Sequence, residues 1–115
     1  MWIASKSGFY SIVQTRDNKR LLMVRARAEK DLINLKNNVV ALKNHEILLT
    51  LDADYRFRLI VTRNELHELI QFLTEEIDYP NFKDKIHETP DQKDKLTSYS
   101  KIWSTMYDYQ NKSCP

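Results

Sequence analysis

The sequence predicts an α+β fold: a single domain with a mainly antiparallel, twisted sheet of four or five strands, and two long helices and one short helix packed on one face. Three observations carry this expectation. Alternating segments come early and helically spaced segments later, so strands and helices arrive in runs and not in strict alternation. Turn-forming clusters separate the early segments closely enough for hairpins. The chain has 115 residues, 42% hydrophobic and 30% charged, which suits one globular unit with its own core. The domain is taken as residues 1–110, with 111–115 as a frayed polar tail.

The apolar run Trp2-Ile3-Ala4 is followed by Ser5-Lys6-Ser7-Gly8, a turn cluster holding the one glycine of the chain. Gly8 is expected to supply a positive φ in a tight hairpin. Phe9 to Gln14 reads as the next strand, the turn Thr15 to Lys19 follows, and Arg20 to Arg27 returns as the third strand of a meander. Glu29 and Asp31 suit a helix start, and Leu32, Leu35 and Val39 recur at helical spacing up to Asn37-Asn38. His45 to Leu51 reads as a strand that leads through Asp52-Ala53-Asp54 into a central strand, Asp52 to Thr62, DADYRFRLIVT, or the two form one long bent strand.

Thr62-Arg63-Asn64-Glu65 is a capping box, and Leu66, Leu69, Ile70, Leu73 and Ile77 form the apolar stripe of the helix it opens. Pro80 stops that helix. After a loop with a short helical turn around Asp84 to His87, Thr89-Pro90-Asp91-Gln92 reads as a second capping box. It opens a last helix whose Leu96, Tyr99, Trp103, Met106 and Gln110 are expected to face inward.

Composition excludes several functions. With one glycine, both dinucleotide-binding and Walker-type phosphate loops are ruled out. The lone Cys114 has no partner for an internal disulfide, and a reducing cytoplasm is the simplest setting. No apolar run approaches the roughly 20 residues of a membrane span, and the first residues lack a signal-peptide layout. A net charge of +2 does not by itself imply nucleic acid.

The sharpest signal is the distribution of arginines. Period-2 alternation in LLMVRAR places Arg25 and Arg27 opposite Val24 and Ala26, and in the central strand it places Arg56 and Arg58 opposite Tyr55, Phe57, Leu59 and Val61. If both faces lie on one side of one sheet, four guanidiniums gather there. Each is permanently charged and forked to bind phosphate or carboxylate. Carboxylates of the domain, or solvent, are the alternative means of relieving their repulsion.

His87, in a polar segment near Tyr79, Asn81 and Lys85, is the acid/base candidate because its ordinary titration lies near neutrality. No Ser-His-Asp, Cys-His or metal-ligand spacing surrounds it. His67 falls on the polar side of its helix, and His45 flanks a strand. Asp52 and Asp54 are too few for an oxygen-ligand metal site and read as turn residues, so neither a metal nor a cofactor is expected.

The blocks FYSIVQ, VRAR, DADYRFR and IDYPNFK, with the opening Met-Trp-Ile, resemble those of a group of small uncharacterised bacterial and phage proteins. The resemblance runs over most of the chain. It implies a compact domain and no assigned activity, and it transfers no catalytic residue. The leading expectation is therefore a non-catalytic binding protein whose arginine face takes an anionic partner, either nucleic acid or an acidic protein surface. One alternative is an enzyme for a phosphorylated or nucleotide substrate, with an arginine clamp and His87 as acid/base. Another is a homodimeric assembly protein.

Overall fold

The computed structural model describes residues 1–113 and turns the alternating segments into one five-stranded antiparallel sheet. Its strands are β1 (Trp2–Ser5), β2 (Gly8–Gln14), β3 (Leu21–Ala26), β4 (Leu48–Leu49) and β5 (Phe57–Thr62), in the order β1-β2-β3-β5-β4. The helices are α1 (Glu29–Asn38), α2 (Arg63–Glu75), α3 (Phe82–Glu88) and α4 (Leu96–Ser113), with short 3-10 helices at Val40–Leu42 and Lys93–Lys95. The α+β class and the antiparallel sheet are as the sequence predicts. No helix among the described residues is long and apolar enough to cross a membrane. Contacts divide the chain into two compact units, Met1–Asp78 and the segment from Tyr79 onward.

In the first unit β2, β3 and β5 separate their large apolar core residues by parity. Tyr10, Ile12, Leu22, Val24, Ala26, Leu59 and Val61 are buried on one face, against Leu32 and Leu35 of α1 and Leu66, Leu69 and Leu73 of α2. Helix α1 starts and stops where its acids and asparagines place it. Helix α2 opens on the expected capping box: Thr62 Oγ1 accepts from Glu65 N at 3.2 Å, and the Glu65 carboxylate accepts from Thr62 N at 2.8 Å. The helix ends at Glu75, so Ile77 falls beyond it and is exposed, contrary to the expected stripe.

Gly8 does not have a positive φ. Glycine is needed there for space: a Cβ would lie 2.6 Å from Cβ and Cγ of Asp31 and 2.7 Å from Tyr10 Oη. Asp31 is fully buried at the start of α1 and ties that helix to β2. Its Oδ2 accepts from Phe9 N at 3.1 Å, and its carbonyl accepts from Tyr10 Oη at 2.8 Å.

Both strands around residue 50 are shorter than predicted. Of His45 to Leu51 only Leu48 and Leu49 pair, and β5 begins at Phe57 and not at Asp52. Turn chemistry takes the intervening residues: Ala53 N donates to Thr50 O at 3.3 Å and Tyr55 N to Asp54 Oδ1 at 2.9 Å. Tyr55 is buried, yet it stands outside the core cluster.

In the second unit Asn81 caps α3 by accepting from Asp84 N at 3.0 Å, which makes a true helix of the expected single turn. Phe82 meets Tyr99 edge-on at 5.0 Å, and Ile86 and Tyr99 are buried. The second capping box does not form. Thr89 Oγ1 donates back to Lys85 O at 2.7 Å, so it serves the end of α3, and the chain turns before the 3-10 helix at Lys93. Of the stripe expected to face inward on α4, Tyr99 is buried, whereas Trp103 and Met106 are 54% and 56% exposed. Trp103 instead stacks on Tyr107 at 5.1 Å and lies under Lys83 Nζ at 4.8 Å. Helix α4 runs through Asn111 and Lys112, where a frayed tail was expected; Cys114 and Pro115 lie outside the described residues.

Candidate anion-binding site

On the sheet face turned away from α1 and α2, strand register fixes two rows of side chains. Ser11 pairs with Arg25 and Arg25 with Arg58, while Trp2 extends this row at one end and Leu48 at the other. Two residues along the strands, Val13, Met23 and Ile60 form a parallel apolar row. The turn from β2 to β3 rises beside it, pinned by Thr15, whose hydroxyl donates to Asn18 O at 2.6 Å and accepts from Asn18 N at 3.2 Å. The result is a cavity of about 660 Å³. Its floor is the apolar row, Arg16 and Asp17 stand at the turn end, and Arg25, Arg58 and Asp54 stand at the other.

The two inner arginines are held firmly and neutralised poorly. Arg25 Nη2 donates to Ser11 Oγ at 2.6 Å, and its guanidinium carbon lies 4.5 Å from the centroid of the Tyr55 ring. Its Nε is buried with no hydrogen-bond partner. Arg58 Nε donates to Tyr55 O at 3.3 Å and Nη1 to the Met23 thioether at 3.2 Å, a weak acceptor. The carboxylate beside this pair, Asp54, is 3.8 Å from Arg58 Nη2 and its side chain is 70% exposed. A pair so exposed contributes little attraction. Like charges directly opposite across a ladder repel.

The four predicted arginines therefore divide. Arg25 and Arg58 face each other in the cavity. Arg27 is exposed just beyond β3 and shares the Tyr55 ring, 4.1 Å from its centroid. Arg56 precedes β5, is exposed, and does not line the cavity. Arg16 and Tyr55 are the participants that sequence reasoning missed. The one signal for Tyr55 was its position two residues before Phe57, which parity assigned to the core.

Neither His45 nor His67 lines this cavity. His87 is exposed on α3, in the unit that begins at Tyr79, and His67 is exposed on α2. His45 Nε2 lies 3.1 Å from Glu65 Oε1, so one carboxylate serves both the helix cap and the imidazole. Burial pushes the Glu65 carboxyl up, but the hydrogen bond from the Thr62 amide and the interaction with His45 outweigh it, and the net displacement is downward. Glu76 moves the other way. Burial raises it, and hydrogen bonding from Ser7 with the charge of Lys6 only partly opposes this. Asp52 and Asp54 are exposed turn residues.

Fold and cavity together define an α+β protein with a cationic, apolar-floored depression on its sheet. Compared with protein-family models, with curated proteins and with solved structures, the chain matches none.

Proposed function

We propose that this is a non-catalytic binding protein that takes an anionic group of its partner between Arg25 and Arg58. The supporting observation is the cross-strand pair of half-buried guanidiniums, one with a buried Nε that has no acceptor, beside a single weakly engaged carboxylate. A phosphate or carboxylate held by both forks replaces like-charge repulsion with charge-assisted hydrogen bonds. Arg16, Arg25 and Arg58 against Asp17 and Asp54 leave the cavity a formal charge of +1, enough to take one such group.

The test is a titration with inorganic phosphate at constant ionic strength, following the Arg25 Nε–H resonance. The expected result is a saturable shift that Arg58→Ala abolishes while the remaining amide spectrum stays folded. A resonance that does not respond to phosphate refutes the proposal. Unfolding of Arg58→Ala would show instead that the arginine is structural.

A further inference from the structure

We infer that the partner is a single-stranded nucleic acid, with a phosphate between Arg25 and Arg58 and a neighbouring base stacked on Trp2; this rests on the anion site proposed above. Trp2 pairs with Ser11, and Ser11 with Arg25, so the indole and the guanidiniums occupy one row on one face. Two inter-strand spacings put the Trp2 backbone about 10 Å from that of Arg25, within the span of adjacent nucleotides in an extended strand. Trp2 is 74% exposed, although it is one of the largest apolar side chains. The Phe9 ring, 6.4 Å away and tilted by 51°, supports it from the neighbouring strand and does not cover it.

An exposed aromatic beside paired arginines is the combination that single strands use, because a base offers its flat face only when it is out of a duplex. An acidic peptide satisfies the arginines equally well but has no ring to place on the indole. Arg27 and Arg56, both exposed and outside the cavity, supply cationic surface for flanking phosphates.

The experiment uses a Trp103→Phe background, which leaves Trp2 the sole tryptophan. A short oligothymidylate should quench its fluorescence saturably. One phosphate neutralised between the two inner arginines and one each at Arg27 and Arg56 give a slope of log affinity against log salt near −2.1, at about −0.7 per phosphate on a single strand. Trp2→Ala, read by anisotropy of labelled oligonucleotide, should weaken binding roughly 5- to 150-fold, since stacking is worth about 1–3 kcal/mol per base. The same variant should keep the phosphate response of Arg25. Unchanged oligonucleotide affinity in Trp2→Ala overturns the inference and leaves the anion site standing, as does tighter binding of polyglutamate or of duplex. Loss of the phosphate response in the parent protein overturns both.

Discussion

Replacing Gly8 by alanine tests how the sheet is joined to its first helix. The new Cβ would sit 2.6 Å from Cβ and Cγ of Asp31, where unstrained carbon contacts are about 3.5–4.0 Å. Neither obstructing atom is the end of a flexible chain. Asp31 is buried, and its carboxylate and carbonyl are both engaged with β2. Relief comes either from moving the start of α1 by about 1 Å or from swinging Asp31 away and abandoning the Phe9 amide. The first is overpacking, at about 1–3 kcal/mol. The second strands a buried donor, at about 1–3 kcal/mol. Alanine recovers about 0.5–1 kcal/mol through its lower backbone entropy in a strand. Either route less that recovery leaves a net loss of about 1 kcal/mol at the middle of these ranges and up to about 2.5 kcal/mol. In urea this lowers the midpoint by roughly 0.5–1 M with the slope unchanged, given slopes of about 1–3 kcal/mol/M for small proteins. A midpoint within about 0.3 M of the parent would refute the argument, because it would mean the helix yields at no cost.

Two further outcomes follow from burial. Trp103→Ala should cost about 1–2.5 kcal/mol, because the ring is half exposed and loses its stack with Tyr107 and the Lys83 contact. Tyr99→Ala should cost about 3–5 kcal/mol as a buried aromatic, and thermal melts of the two variants decide the ordering. Glu65 and Glu76 should give opposite pH dependences. Glu76 has a raised pKa in the folded state, so its contribution is fully present below the ordinary glutamate range and is lost as pH rises through the folded value. Glu76→Gln should therefore flatten that decline, with the larger relative gain at neutral pH. Glu65 has a lowered pKa, so its contribution is present above the ordinary range and is lost as pH falls through the folded value; Glu65→Gln should remove that acid-side loss. Urea midpoints across the acidic range, compared with the parent, check both signs.

What the sequence made legible was local. The Thr62–Glu65 capping box and the Glu29–Asn38 helix are fixed by residues three or four apart, and they appear where expected. Alternation gave the correct parity in β3 and β5 but not the start of β5. DADYRFR alternates like a strand, yet Asp54 turns its carboxylate onto the next amide, and β4 pairs for only two residues. The stripe on α4 fails for a different reason: helical spacing shows which residues share a face and cannot show what lies opposite. The candidate site was half legible. Arg25 and Arg58 were found by parity, but their direct opposition depends on β3 pairing with β5. The inclusion of Arg16 depends on where the turn between β2 and β3 rises.

That opposition has a consequence for how the protein is assembled and held. The hairpins of β1 with β2, β2 with β3 and β4 with β5 join neighbours in the chain, whereas β3 meets β5 only after α1 and β4 have been bridged. This is the pairing with the greatest loop-closure cost, and the sequence has placed two positive charges face to face across it. An anion held by both arginines binds only when that seam is closed. Its free energy is therefore added to the least local contact in the sheet, by about 2.7 kcal/mol at a hundredfold excess over Kd. A partner held at the proposed anion site would act as a clasp on the topology, slowing amide exchange along β3 and β5 more than in the first hairpin.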